Sequence, residues 1–567
     1  KPLDECVKEP LTLNAENMVA WLTPGPCPAD GQQGFRKRHA SEWNDDWLHP
    51  TVSENMKEWA HGASLRYEGD RVRDSMMPNC KSCYDEVREM RKTIWADVEK
   101  GWILGPYPLP PLEGFKQIPR AMIDEMEKSG KYRPISSNNL PIGEAVNESI
   151  PKSDVPISLP THKRIQQRLA YLKSLNGERM VIATRDLKSA YRNHAVRPKD
   201  WQLCGLMWDG QYFVDARLSF GCRSSVDRFL TVSDAIEYAL KRWGVSSVFH
   251  YIDDFVFMGS QEEVEDAIWK FEVVCEQFGI PIKRQKDEGP DVEVKILGVV
   301  YNVEDMTARM PAARLTSISD KCTAMMTGEV NVEDLESLVG ELTWAASCIT
   351  SAASFVASLR HAVTNAKKEH KKKVRLTRRG KGDLKWWVAA VENGRARNGV
   401  ALIPHKRIAN VVVAGDAGSE WGMGAHTDSV YYKAQMPPHA TRTSMRKKRT
   451  SSKYLELFQL LVLVRLNSAA WSGSVVHVKT DNQAVSRLIK KMYTARECDN
   501  DLLREIAMWQ MMDGWQLEMQ WIPREHNDAA DALSKNDMPR FKAMMGDGME
   551  EMEVREWHLA PPTLTMD

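Results

Sequence analysis

Hydrophobic and polar positions change period several times along the chain. Residues 84–101 carry helical spacing, until the prolines between 105 and 111 break it. Residues 131–136 read as a short strand before a polar turn. From 181 to 302 strands and helices alternate. A β-rich run over 181–184 leads into Asp186, and 225–243 has helical spacing. Residues 247–258 are apolar on both sides of a central acidic pair, and 295–301 is another strand-like run. Beyond Asn331, a residue suited to an N-cap, Leu335, Leu338, Val339 and Leu342 fall on one helical face. Residues 410–416 open a second α/β segment that runs to about 536. It contains a largely apolar helix over 454–464 and a strand over 475–480. Residues 1–88 are rich in Trp, Pro, Cys and charge, with weak periodicity, and read as an irregular extension. No repeat of solenoid length is present.

A chain of 567 residues exceeds one core, so two to four domains are expected. With 43% hydrophobic and 27% charged residues, the composition is that of an ordinary globular protein. Lys plus Arg equals Asp plus Glu at 77 each, so any polyanion binding must come from local patches rather than from net charge. Two basic runs supply candidates: residues 367–385, with ten Lys or Arg against two acids, and Arg446-Lys-Lys-Arg449. Such runs suit salt-sensitive, sequence-independent phosphate contacts. A solvated linker or a nuclear-import signal is the plain alternative.

Ten cysteines without regular spacing favour reduced thiols, and Cys80-Lys-Ser-Cys83 lacks the second pair a structural zinc needs. No apolar run approaches the roughly 18–20 residues of a membrane span, since the longest, 455–466, contains Glu456, Gln459 and Arg465. Residues 1–10 are charged and do not resemble a signal peptide. The expected location is nucleus or cytoplasm. A first residue of Lys rather than Met reads as a piece of a longer product.

The string Phe249-His-Tyr-Ile-Asp-Asp-Phe-Val-Phe257 places two adjacent acids inside a run that otherwise suits a buried β-hairpin. Burying unpaired carboxylates costs several kcal/mol each unless positive charge meets them. A divalent metal at the turn would meet that need, and a solvent-exposed Asp-Asp turn is the alternative. Upstream, Thr184-Arg-Asp-Leu-Lys-Ser-Ala-Tyr191 supplies a third acid, Asp186, at a strand end, with an aromatic residue five positions later. Carboxylates from neighbouring strands suit a site holding two Mg²⁺ roughly 3.5–4 Å apart.

The Tyr-Ile-Asp-Asp string resembles the Tyr-x-Asp-Asp motif of reverse transcriptases, and Asp186 resembles their first catalytic aspartate. Leu218-Ser-Phe-Gly221, followed by Ser225 and Phe229, is similar to their Leu-Pro-Phe-Gly nucleotide-contact motif, with Ser219 in place of proline. Ile296-Leu-Gly-Val299 resembles the primer-grip hairpin, and Lys131-Tyr-Arg133 the fingers segment whose arginine clamps the incoming triphosphate. With Trp102-Ile-Leu-Gly-Pro106 ahead and Leu338-Val-Gly-Glu-Leu-Thr-Trp-Ala345 behind, the detailed match is to DIRS-type (tyrosine-recombinase) retrotransposon polymerases, over about residues 90–540. The resemblance implies that Asp186 and Asp253 hold both metals with Asp254 assisting. It also implies that Tyr191 is the steric gate against ribose, and that Lys131, Arg133, Phe220, Gly221, Ser225 and Tyr251 contact substrate. Lys283 or Lys286 is a candidate proton donor to the leaving pyrophosphate, or a plain surface lysine.

Four further acids recur in order. Asp416 follows an apolar strand, Glu456 sits in the apolar helix, Asp481 ends the 475–480 strand, and Asp531 lies in Asn527-Asp-Ala-Ala-Asp-Ala-Leu-Ser534. Each alone has a bland reading, such as a helix cap for Asp481. Together they resemble the Asp-Glu-Asp-Asp site of ribonuclease H, in which two divalent ions support hydrolysis of an RNA phosphodiester. His526 is a candidate proton shuttle, although the loop before Asn527 is shorter than in many ribonucleases H, and a loop-surface histidine is the alternative.

The resulting expectation is an α/β (α+β) protein. An N-terminal extension (1–88) precedes reverse transcriptase fingers and palm (89–302), a helical thumb (303–366) and a basic connection (367–404). A ribonuclease H-like mixed-sheet domain (405–540) and a C-terminal tail (541–567) follow. The expected activities are RNA-directed and DNA-directed DNA synthesis and degradation of RNA in RNA·DNA hybrids. The cofactor is Mg²⁺, two per site, with Mn²⁺ as an alternative. The partners are RNA template, DNA primer, hybrid and dNTPs. The competing reading is a captured retroelement protein that binds nucleic acid or serves as a structural subunit without catalysis. Tyr191 and the hybrid-cutting domain oppose an RNA-dependent RNA polymerase.

Overall fold

The computed structural model describes residues 13–22, 55, 57–125, 131–152, 157, 159–176, 179–349, 352–392, 399–402, 411–418, 420–445 and 451–562. The basic string 446–449 and most of the 1–54 extension lie outside these residues. The chain divides into two compact units, Lys1–Val294 and Lys295–Asp567, each a mixture of helix and sheet.

In the first unit a four-stranded antiparallel sheet runs in the order Val248–Tyr251, Asp254–Gly259, Val181–Asp186 and Glu288–Asp291. Two helices, Ser224–Arg242 and Gln261–Phe278, belong to the core beside it. On the second helix Val264, Ala267, Ile268, Phe271, Val274, Cys275 and Phe278 are buried, a three-and-four spacing that gives one apolar face. Ser260 and Glu263 form a reciprocal cap at its start, and Gly279 closes it at φ +73°. The unit also contains a hairpin of Arg120–Glu125 and Lys131–Ser136 and a three-stranded sheet of Ile103–Tyr107, Gln211–Asp215 and Gly205–Trp208.

Not all of the N-terminal extension is irregular. Ala15–Leu22 is a helix whose Met18, Trp21 and Leu22 are buried in the same core as the two long helices. Asn14 donates its backbone N–H to Phe278 O at 2.9 Å, and Arg242 Nη1 donates to Trp21 O at 2.5 Å. Eight residues hold barely two turns, too few for a period to stand out in sequence.

The second unit is organised around a six-stranded mixed sheet. Its order is Gln516–Trp521, Val475–Thr480, Val411–Ala417, Gly422–His426, Val430–Gln435 and Glu550–Glu551. Twelve consecutive residues of the Ser452–Asn467 helix, 454 to 465, are buried, so this helix is surrounded by protein rather than laid on a surface. Among the described residues four α-helices of this unit precede the sheet: Ala312–Ala324, Val332–Ala345, Ala357–Lys368 and Arg378–Glu392. Asn331 caps the second, its side chain accepting from Glu333 N at 2.9 Å. Between Ile296 and Val299 the chain turns at Leu297 (φ +50°) and Gly298 (φ +82°), so the strand-like run 295–301 is divided between the neighbouring strands Glu293–Ile296 and Val299–Asn302.

The basic stretch 367–385 is folded rather than a loose connection. It includes the start of the Arg378–Glu392 helix, on which Trp386 stacks on Phe355 at a ring distance of 4.1 Å. Arg379 and Asp383 of this helix pair with Asp501 (2.7 Å) and Arg504 (2.5 Å) of the helix Glu497–Asp513. The tail is folded too. Glu550–Glu551 adds a short parallel strand beside Val430–Gln435, and the carbonyls of His558 and Ala560 accept from Arg465 Nη1 at 2.8 and 2.7 Å. Among the described residues no helix is long and apolar enough to cross a membrane.

Candidate functional sites

The first acidic cluster is assembled by strand register. Tyr251 pairs with Asp254 across a two-residue turn, and Asp254 pairs in turn with Asp186 on the next strand. Ile252 opens that turn at φ +61°, a conformation a β-branched residue rarely adopts. Two hydrogen bonds hold it: Ser233 Oγ donates to Ile252 O at 2.6 Å, and Leu187 N donates to Asp253 O at 3.1 Å. One ligand oxygen from each of Asp186, Asp253 and Asp254 lies within 4.8 Å of the others.

Three carboxyls held this close repel as anions. Burial, then Asp254 and Asp186, pushes the Asp253 carboxyl well above the usual carboxylate range. Burial and then Asp186 raise Asp254 as well. Lys286 Nζ stands 2.6 Å from Asp186 Oδ2, and Lys283 Nζ 3.9 Å from the same oxygen. Asp186 Oδ1 is buried with no hydrogen-bond partner. An all-oxygen donor set with an orphaned buried oxygen fits a hard divalent cation.

Around the acids lies an aromatic wall. Tyr191, 7% exposed, packs edge-on against Phe220 (4.9 Å) and Phe229 (5.5 Å), and burial raises its hydroxyl to about 12. The Arg133 guanidinium sits 5.6 Å from the Phe220 ring centroid, bringing the expected triphosphate clamp beside the expected nucleotide-contact motif. Gly221 is at φ +106°, and a Cβ there would stand 2.0 Å from Ser136 O, so only glycine fits. Ser225 is buried, and its hydroxyl donates to Ser219 O at 2.8 Å, a structural bond within the motif. Tyr251 is half-buried beside the acids. Lys131 occupies the hairpin strand opposite Glu125, and its side chain lies outside the described atoms.

A supporting network was not foreseen. Asp215 is buried between Arg120 (2.7 Å) and Arg192 (2.6 Å), and Arg192 also reaches Asp97 at 3.0 Å. Arg192 follows Tyr191 directly, so the network fixes the backbone under that ring. No local motif announces it, because its members lie on four separate segments. Cys80 and Cys83 are free thiols, and among the described residues they belong to no group of potential metal ligands.

The second cluster draws on three elements. Asp416 comes from the central strand, Glu456 from the buried helix and Asp481 from the turn after Val475–Thr480. Their ligand oxygens all lie within 4.8 Å of one another. Glu456 accepts from Thr480 Oγ1 at 2.9 Å and Asn482 Nδ2 at 2.7 Å, yet burial pushes its carboxyl up to about 8. Burial also raises Asp416, against a 2.6 Å hydrogen bond from Ser534 Oγ. These partners were missed in sequence, although Asn482 and Ser534 are only one and three residues from acids that were singled out. The oxygen-only set again fits a hard divalent cation.

Asp531 is not part of that trio. Its Oδ2 accepts from Lys535 at 2.9 Å and Arg540 at 3.1 Å, and its Oδ1 from Arg524 at 3.3 Å. Burial opposes ionisation of Asp531, but Lys535 and Arg524 outweigh it and hold the carboxyl below its usual value. His526 is exposed on the turn Arg524–His526, and its ring makes no hydrogen bond or ion pair among the described residues.

A family model described as reverse transcriptase-like matches residues 466–537, a segment containing Asp481 and Asp531. No curated protein matches the chain in sequence. Among solved structures, the foamy viral protease-reverse transcriptase dRH in complex with double-stranded DNA is 14% identical. That alignment covers 85% of this chain and 79% of that one, with a TM-score of 0.47. The foamy viral protease-reverse transcriptase with an RNA/DNA hybrid is 14% identical over 81% of this chain and 56% of that one, TM-score 0.46. The same protein with double-stranded DNA is 15% identical over 80% and 85%, TM-score 0.45. The chain thus carries a reverse transcriptase-like segment within a mixed α/β fold.

Proposed function

We propose that the chain is a retroelement reverse transcriptase with a coupled ribonuclease H, of the DIRS type that its motifs resemble. It would extend a DNA primer on RNA and then on DNA, and degrade RNA in the resulting hybrid. The observation that carries this reading is the pair of separate three-carboxylate clusters, one at the tip of an antiparallel hairpin and one at the six-stranded sheet, where Asp481 lies within the reverse transcriptase-like match. Coupling them makes chemical sense, because DNA copied from RNA stays trapped in a hybrid until the RNA is removed.

Asp186, Asp253 and Asp254 would hold Mg²⁺ (or Mn²⁺) at the first site. Asp416, Glu456 and Asp481, with Asp531, would do so at the second. Bound divalent ions supply charge neutralisation at the phosphoryl group and acidify the attacking hydroxyl or water. The protein's own groups do the rest. Arg133 would bind phosphate oxygens through its planar fork. Tyr191, backed by Phe220 and Phe229, would lie under the sugar and exclude a 2′-hydroxyl, selecting dNTPs. Lys286 and Lys283, already at Asp186, would stand near the leaving pyrophosphate. The basic residues of 367–385 would contact duplex phosphates.

The test is primer extension on an RNA template with Mg²⁺, read together with hybrid cleavage. Asp253→Asn is expected to abolish synthesis alone, and Asp481→Asn to abolish RNA removal alone. Several kcal/mol of lost charge stabilisation corresponds to roughly 10³-fold or more in rate. Folded protein that extends no primer across a range of salt and metal would favour a nucleic-acid-binding role instead.

A further inference from the structure

We infer that Arg524, rather than His526, is the cationic group that meets the scissile or released phosphate at the second acidic cluster. The inference deepens the ribonuclease H reading and rests on it. His526 was the sequence candidate for a group acting beside the four acids, but the turn presents a different side chain to them. Asn527, 2% exposed, donates its side-chain amide to Gly415 O at 3.2 Å, and Gly415 directly precedes Asp416. The turn is thereby anchored at the acids, and Arg524 spans two of them. Its Nη2 lies 3.3 Å from Asp531 Oδ1, and its Nε 3.9 Å from Asp481 Oδ2.

Three observations separate Arg524 from an ordinary ion-pair partner. Asp531 already has two other cations, Lys535 and Arg540, on its second oxygen, so Arg524 is one of three cations beside it rather than its sole partner. The Arg524 side chain is 72% exposed, and both of its contacts are long for charge-assisted bonds, so it is held loosely on the solvent side of the acids. Finally, Trp521, itself half-exposed, donates its ring N–H to Asp481 O at 3.0 Å, giving the same rim a flat aromatic surface.

A loosely held guanidinium beside a carboxylate cluster is suited to a phosphodiester. Its fork matches two phosphate oxygens, and binding substrate would exchange one anion for another at small cost. A guanidinium stays protonated throughout the working pH range, so Arg524 is not a general acid or base. Its part is electrostatic, at a non-bridging oxygen of the phosphate under attack and then at the 5′-phosphate of the cut strand.

The experiment uses the full-length chain with an RNA·DNA hybrid and Mg²⁺, comparing the parent with Arg524→Gln, Arg524→Lys, His526→Ala and Asp481→Asn. Arg524→Gln is expected to lower kcat about 10–100-fold, by the loss of one charge contact to the phosphate. The melting temperature and the Mg²⁺ midpoint should be unchanged. Arg524→Lys should fall between parent and Arg524→Gln, because it keeps the charge and loses the fork. The His526→Ala loss should be smaller than the Arg524→Gln loss. A raised Mg²⁺ midpoint with intact kcat at saturation would mean that Arg524 merely positions Asp531, and would overturn the inference. So would cleavage that Asp481→Asn abolishes while Arg524→Gln proceeds at parental speed. A folded parent with no cleavage sensitive to Asp481→Asn would overturn the ribonuclease H reading itself, and this inference with it.

Discussion

Replacing Arg465 with methionine should loosen the tail and destabilise the whole second unit. The guanidinium is 3% exposed and makes a two-pronged pair with Glu505, 2.7 Å on each side, while its remaining nitrogen reaches His558 O and Ala560 O. Methionine keeps much of the stem volume, so the change removes charge and donors more than packing. Glu505 is then left as a buried carboxylate without its cation, which costs about 3–5 kcal/mol. The two carbonyls lose their donor as well. The tail can lift and expose them to water, so their loss does not add in full. For a unit of this size, roughly 2–4 °C of melting temperature goes with each kcal/mol, giving a fall of about 6–20 °C. Calorimetry of the full chain would read it, and limited proteolysis should show residues near 557–561 cleaved first. A second variant checks the cause: Arg465→Met with Glu505→Leu removes both charges and should recover most of the loss, because an apolar pair of similar volume replaces a buried ion pair at little cost. A single variant melting within about 2 °C of the parent, or a double variant no better than the single, would refute the argument.

Three further outcomes follow from the sites. In metal-free protein the raised carboxyls make stability fall as pH rises. Glu456 holds its proton in the folded state up to about 8, whereas the unfolded chain releases it near 4.5. The folded state therefore binds more protons across that window. Below about 6.5 the buried His162 and His194, held down to about 4, act in the opposite sense. Melting in chelator should therefore drop between about 6.5 and 8, and added Mg²⁺ should raise the midpoint more at the alkaline end; a flat or rising profile over that range would contradict this. Tyr191→Ala should raise ribonucleotide incorporation at least about tenfold relative to dNTPs, whereas Tyr191→Phe should not, since the ring rather than the hydroxyl blocks the sugar. Equal discrimination in both variants would exclude the gate. Gly221→Ala should sharply reduce extension while sparing RNA cleavage, because the new methyl cannot share space with Ser136 O; parental extension by this variant would show that the segment can move aside.

The acids could be read from sequence because each breaks a local rule: Asp253 and Asp254 interrupt a strand pattern, and Glu456 interrupts an apolar helix. Burying charge is costly enough that such breaks point to a site. Arg524 breaks no rule, since a basic residue in a polar turn looks like any other until the fold brings Asp481 and Asp531 beside it. The same holds for the tail, whose order depends on Arg465 more than ninety residues earlier. The basic stretch 367–385 looked like a connection because its charges are dense. Its fold depends on Phe355, Asp501 and Arg504, which no window of local periodicity includes. The short helix Ala15–Leu22 becomes recognisable only through its contact with Phe278 and Arg242.

The Ser224–Arg242 helix has a mechanical consequence. Near its start Ser225 is bonded into the Leu218–Gly221 segment, and two turns later Ser233 donates to the carbonyl of Ile252 at the head of the turn that bears Asp253. The two grips are about 12 Å apart along one rigid rod. Ile252 sits at φ +61°, which a β-branched residue rarely adopts, and the hydrogen bond from Ser233 helps hold the turn that bears Asp253. A shift at the Ser225 end would thus be carried along the helix to the turn that bears Asp253, so the Leu218–Gly221 segment and the acidic turn are mechanically linked.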